Sequence, residues 1–74
     1  MNVNELGDIL NRMYMNSQDG EKVAMIHLFG IKYANEIKSI DSSSREIAKA
    51  AKINDSYSTE ISKGVKLAKY VNVK

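Results

Sequence analysis

The sequence predicts an all-α fold, a compact bundle of four to five short helices. Apolar residues recur three and four positions apart along most of the chain, which is the period of a helix with one buried face. Clusters of Asn, Ser, Asp and Gly separate these periodic segments, as is typical of turns. The 74 residues can build one hydrophobic core, so we expect a single domain over residues 1–74.

Four segments carry the helical period. We predict helices at about residues 4–15, 20–35, 44–53 and 56–70. The second segment is apolar on too many sides to lie on the surface, which predicts a central helix against which the others pack. Gly7 and Gly30 lie inside the first two helices, and we expect each to mark a close approach by a neighbouring helix. Asn2 or Asn4 is the candidate N-cap of the first helix.

Two segments leave alternatives open. Residues 35–42 contain Ile37 and Ile40, and either an extension of the second helix or a short turn would bury them. The tail from Tyr70 to Lys74 partly alternates apolar and polar residues, which is compatible with a short C-terminal strand or with a frayed helix end.

The stretch from Ser43 to Val71 is predicted to form two helices joined by a short polar turn. It begins with a capping-box sequence, in which a Ser hydroxyl accepts from a free backbone N–H and Glu46 reaches back to the cap. Residues 54–56 interrupt the apolar spacing and offer further N-caps. A short helix, a tight turn and a longer helix with a basic face form the pattern of a DNA-reading helix-turn-helix.

Positive charge is concentrated in the same part of the chain. Residues 1–44 hold four Lys or Arg and six Asp or Glu, whereas residues 45–74 hold seven Lys or Arg and three Asp or Glu. Contacts with a phosphate backbone require cations in this arrangement, although a solvated lysine-rich surface gives the same count.

Residues 44–63 resemble the helix-turn-helix of bacterial DNA-binding proteins. The residues at or near that family's core positions are Ile47, Ala48, Ala51, Ile53 and Ile61. Two positions depart from the pattern: Lys52 stands where a turn glycine is usual, and Ser58 where a branched apolar residue is usual. Residues 27–34, 56–64 and 65–71 are also similar to small helix-turn-helix-like modules of bacterial and phage proteins, some of them attached to DNA-restriction systems.

We therefore expect sequence-dependent binding of double-stranded DNA through the helix at about 56–70, in a regulator or in a targeting module of a DNA-modifying system. The candidate DNA-binding residues are Arg45, Lys49, Ser56, Ser58, Thr59, Ser62, Lys63, Lys66 and Lys69. The hydroxyls would meet base edges or sugar–phosphate oxygens, and the cations would meet phosphates. Capping by Ser56 and ordinary solvation of the others is the alternative for the hydroxyls. One such helix reads few base pairs, so a homodimer or a larger assembly is expected.

No enzymatic activity is predicted. His27 is the only histidine and lies among apolar residues, so we expect a partly buried, hydrogen-bonded histidine rather than a general base. No grouped ligands suggest a metal or a cofactor. The chain has no cysteine and no run of about 18 apolar residues, so we expect no membrane span and a cytoplasmic location. The competing hypothesis is a helical protein–protein interaction module, or a small inhibitor or adaptor, that binds no nucleic acid.

Overall fold

The computed structural model describes residues 1–71, and this part of the chain forms five α-helices. They are α1 (Val3–Met15), α2 (Lys22–Lys32), α3 (Ala34–Ser39), α4 (Ser44–Ala50) and α5 (Ser58–Leu67), with a 3-10 turn at Asp55–Tyr57 before α5. No strand occurs in these 71 residues, and the all-α prediction is confirmed. The possible C-terminal strand falls largely on residues 72–74, which lie outside the described residues.

The core is built from the apolar faces that the helical period predicts. Leu6 and Leu10 of α1 and Ile26 and Phe29 of α2 are fully buried. They pack together with buried residues of the other three helices, namely Ile37, Ile47, Ala48 and Ile61, and with Ala51 directly after α4. Because every helix supplies at least one buried side chain, the orientation of each helix is fixed by hydrophobic burial.

Two capping boxes fix where α1 and α4 begin. The Asn2 side chain accepts from the backbone N–H of Glu5, whose carboxylate accepts in return from the Asn2 N–H. Ser43 and Glu46 make the same reciprocal pair at α4. Each box satisfies two backbone N–H groups that have no partner within the helix, so these boundaries follow from the local sequence.

The helix predicted over residues 20–35 is divided into two. α2 ends at Lys32, and the backbone of Tyr33 (φ −109°, ψ 22°) leaves the helical region before α3 begins at Ala34. The bend allows α3 to pack against both α2 and α5, with Ala34 and Ile37 buried. Residues 34–39 therefore form a separate short helix, which neither of the two alternatives for this segment included. α2 contacts α1, α3 and α5, as predicted for a central helix.

α4 ends earlier than predicted because the chain turns sharply at Lys52. Lys52 has a φ of +60°, in the left-handed region that favours glycine. Its N–H donates to the carbonyl of Lys49 (3.0 Å), and the N–H of Ile53 donates to the carbonyl of Ala48 (3.2 Å). These two bonds define a Schellman motif, which terminates the helix at Ala50 and redirects the chain toward α5.

The helix predicted over residues 56–70 is also shorter in the structure. Residues 55–57 form the 3-10 turn, in which the Asn54 side chain accepts from the N–H of Ser56. α5 itself spans Ser58–Leu67, and the residues from Ala68 to Tyr70 continue as turns. Local side-chain bonding at Asn54 thus supplies the turn that separates α4 from α5.

Candidate nucleic-acid interface

The inner side of α5 is fixed by a backbone-to-backbone crossing with α2. A Cβ atom built on Gly64 would lie 2.5 Å from the carbonyl oxygen of His27, and one built on Gly30 would lie 2.7 Å from that of Ile61. Both distances are too short for any side chain, so only glycine fits on either helix. The close approach expected at Gly30 is confirmed, and α5 packs more extensively on α2 than on any other helix. Gly7 likewise abuts Ala50, so α1 and α4 also cross closely.

The outer side of α5 faces solvent and carries cations. Thr59, Lys63 and Lys66 are all exposed along this face, whereas Ile61 and Gly64 on the opposite side are buried. Lys69 is also exposed, but it lies in the turns that follow Leu67 rather than in the helix. The ten residues of α5 extend about 15 Å at 1.5 Å per residue, which is enough to lie along a major groove about 12 Å wide.

The hydroxyl residues of the predicted interface occupy three different environments. Ser56 and Thr59 are exposed, and the Thr59 hydroxyl donates to the carbonyl of Ser56 (3.2 Å). Ser58 is half-buried at the first position of α5. Ser62 is half-buried and its hydroxyl lies 3.0 Å from that of Ser44, so it links α5 to the start of α4. Thr59 is thus the hydroxyl residue of α5 that is most open to an incoming molecule.

Two further cations project from α4. Arg45 and Lys49 are four residues apart and both exposed, so they share one side of the helix. The Arg45 Nε atom lies 4.0 Å from a carboxylate oxygen of Asp55 in the turn before α5. This contact brings Arg45 beside the N-terminal end of α5, although the pair is too exposed to add much stability.

A half-buried carboxylate joins α2 to the outer face of α5. Glu60 Oε1 accepts from the His27 imidazole (2.7 Å), while Oε2 lies 3.5 Å from the Lys63 ammonium group. The hydrogen bond from His27 is the largest influence on Glu60, and with the nearby Lys63 charge it holds the pKa of the Glu60 carboxyl below its ordinary value. Glu60 is therefore ionised at neutral pH beside one of the predicted DNA contacts.

The family comparison agrees with this geometry. A family described as an HTH-like domain matches residues 2–74. The chain belongs to this family. Membership indicates nucleic-acid binding in general and suggests DNA as the partner. Searches of curated proteins and of solved structures each return no significant match.

In this HTH-like domain, the two departures from the helix-turn-helix pattern have different consequences. Lys52 adopts the left-handed conformation that glycine would adopt, so the turn is retained at some cost in free energy. Ser58 lies half-buried at the start of α5 and supplies no apolar side chain there. The apolar side chains beside it in sequence are Ile61, which is fully buried, and Tyr57, whose ring packs on Tyr14 (centroids 5.6 Å apart). The stretch that carries the resemblance therefore forms two helices, α4 and α5, joined by a turn.

Sequence reasoning missed two features of the HTH-like domain. It correctly interpreted His27 as a partly buried, hydrogen-bonded histidine but did not pair it with Glu60, because 33 positions separate them. It expected a close approach at Gly30 but did not connect Gly30 with Gly64. Matching glycines on two amphipathic helices were the available signal, since small residues at one face permit close crossing.

Neither a membrane span nor a metal cluster is found in the described part of the HTH-like domain. No helix within residues 1–71 is both long and apolar enough to cross a bilayer. No three His, Cys, Asp or Glu residues among them are grouped to hold a metal ion.

Proposed function

We propose that this HTH-like domain binds double-stranded DNA in a sequence-dependent manner through α5, as a regulator or as the targeting module of a DNA-modifying system. The observation that carries the proposal is the two-sided character of α5. Its inner side is fixed to α2 at the Gly30–Gly64 crossing, and its outer side exposes Thr59, Lys63 and Lys66. A rigid helix with an exposed cationic face meets the requirements for docking in a major groove.

The cations would position the domain on the duplex. Lys63 and Lys66 lie one turn apart on α5, and Arg45 and Lys49 lie one turn apart on α4. Two helices that present cations from both sides of the turn can engage the phosphates flanking a groove while α5 enters it. Lys69 would extend this contact past the end of α5.

Base discrimination would come from the start of α5. The Thr59 hydroxyl uses its proton within the domain, so its oxygen remains free to accept from the amino group of adenine or cytosine. Its methyl group can contact the methyl group of thymine. Ser56 and Ser58 flank this position, while Ser62 would act only after its contact with Ser44 rearranges. Thr59 is therefore the residue on which sequence dependence is expected to rest.

A salt titration of duplex binding tests the phosphate contacts. Binding to a random-sequence duplex should weaken steeply as salt rises, because each neutralised phosphate contributes ~0.9 to the slope of log affinity against log salt. The double variant Lys63→Ala, Lys66→Ala should flatten that slope by about 1.8 units if both contacts are lost. The matched control is Lys32→Ala with Lys38→Ala, which removes the same charge from α2 and α3. Equal slopes for the two double variants would contradict the assignment to α5.

Selection from a randomised duplex pool tests sequence dependence. The selected sites should share a short motif, and Thr59→Ala should lose about 1–3 kcal/mol on the selected site with much less loss on random duplex. A pool that stays random after selection would reduce the function to generic duplex binding.

The expected homodimer or larger assembly stays a prediction, which sedimentation of the free and DNA-bound domain can test.

A protein-docking role is the second candidate. Leu67, Tyr70 and Val71 at the C-terminal end of the described chain are 41%, 82% and 46% exposed, which leaves apolar area open to a partner. The absence of duplex binding at low salt would favour this role.

A further inference from the structure

Glu60 is an acidic residue at the edge of the cationic face of α5. Its side chain is 22% exposed, and both carboxylate oxygens are engaged, one by His27 of α2 and one by Lys63 of α5. We propose that Glu60 limits the DNA affinity of this domain, because its carboxylate competes with DNA phosphate for the Lys63 ammonium group. The inference rests on the proposed function and adds to it a residue that opposes binding.

The two contacts of Glu60 differ in rigidity. The contact with His27 is 2.7 Å long and joins two helices whose backbones touch, so the carboxylate has a fixed position. The contact with Lys63 is 3.5 Å long, and the Lys63 side chain is 59% exposed on a flexible stem. A phosphate can therefore draw Lys63 away while Glu60 stays in place. Binding then exchanges one anionic partner of Lys63 for another and gains less than contact with a free lysine would.

The ionisation of Glu60 supports this competition. The hydrogen bond from His27 lowers the pKa of the carboxyl, so the negative charge persists at neutral pH. A phosphate that approaches Lys63 also approaches this charge. His27 and Lys63 are the two titratable groups that face Glu60 among the described residues.

The test measures the binding of Glu60 variants and their controls to one random-sequence duplex at several salt concentrations. Glu60→Gln removes the charge but retains an oxygen that can accept from His27. It should tighten binding by about twofold to eightfold at 0.1 M salt, the upper limit being one full phosphate contact, and should steepen the salt slope by up to ~0.9. In a Lys63→Ala background the same change should have a smaller effect, since the competed cation is gone.

Asp8→Asn is the matched control. It removes one negative charge from an exposed position of α1, a helix that packs on α2 and α4, and Asp8 makes no side-chain hydrogen bond or ion pair within residues 1–71. Its effect should be smaller than that of Glu60→Gln, because Asp8 forms no ion pair with any of the cations assigned to the interface within residues 1–71. Glu60→Ala repeats the removal of charge without an amide, and the folded fraction of each variant is followed by circular dichroism.

The possible outcomes separate this inference from the proposed function. Tighter binding and a steeper slope for Glu60→Gln and Glu60→Ala, reduced in the Lys63→Ala background, support the inference. If both Glu60 variants bind as tightly as wild type or more weakly, the inference is overturned but the proposed function is not. The same holds if Asp8→Asn tightens binding as much as Glu60→Gln. If no protein binds duplex at low salt, the inference and the proposed function both fail.

Discussion

Replacing Lys52 with glycine should stabilise the domain, because Lys52 occupies a left-handed backbone position (φ +60°). An L-residue in this conformation costs roughly 1–2 kcal/mol, and glycine escapes that cost. Glycine also loses more conformational entropy on folding, which offsets roughly 0.5–1 kcal/mol of the gain. We therefore expect Lys52→Gly to raise the free energy of unfolding by about 0.5–1 kcal/mol. In a domain of this size, that corresponds to a rise in Tm of about 2–8 °C.

Urea unfolding of three variants measures this effect. Lys52→Ala removes the side-chain charge but keeps the Cβ atom, so it should show none of the gain. Lys49→Gly places a glycine inside α4, where the backbone is helical, and should lose about 1 kcal/mol. If Lys52→Gly were no more stable than Lys52→Ala, the left-handed backbone at position 52 would carry no cost in free energy, contrary to this prediction.

Two further predictions concern the crossing of α2 and α5 and the contact between their side chains. Helix propensity alone predicts that Gly64→Ala raises the free energy of unfolding by about 1 kcal/mol. The new Cβ atom would lie 2.5 Å from the His27 carbonyl oxygen, so we expect urea unfolding to show a net loss of about 1–3 kcal/mol instead. A net gain would mean that α2 and α5 can move apart without cost. Because the folded-state pKa of Glu60 lies below the ordinary value of 4.5, its ionised form adds stability that is present above pH 4.5 and is lost as pH falls through the lowered pKa. Thermal melts at several acid pH values should therefore show a smaller acid-induced loss of stability for Glu60→Gln than for wild type, and parallel losses would contradict this linkage.

The features that sequence could predict are those encoded by local patterns. The capping boxes at Asn2 and Ser43 depend on residues three positions apart, and the apolar spacing that identifies Ile47 and Ile61 as core residues is equally local. The resemblance marked position 52 as the usual place of a turn glycine, but helix was predicted as far as residue 53, past the left-handed turn at Lys52. Local rules therefore predicted four of the five helices of residues 1–71, namely α1, α2, α4 and α5, and the order in which they occur.

The features that sequence could not predict depend on contacts between distant segments. The division at Tyr33 brings α3 against α5, and nothing in residues 20–39 alone specifies that packing. The bond between His27 and Glu60 also follows from the helix crossing. Periodicity placed Ser62 on the same side as Lys63, but its contact with Ser44 became evident only once α4 was packed against α5. The residues of the basic face were thus predictable, while the hydrogen bonds and ion pairs of their side chains were not.

Mapping of backbone amide chemical shifts on adding duplex DNA tests most directly whether α5 is the DNA-binding element. We expect the largest shifts at low salt to fall on the outer face of α5 and on the exposed side of α4, and to diminish as salt is added. The residues expected to respond are Arg45, Lys49, Thr59, Lys63 and Lys66. Shifts confined to α1 and α3, or no shifts at low salt, would contradict the assignment of α5 as the DNA-binding helix.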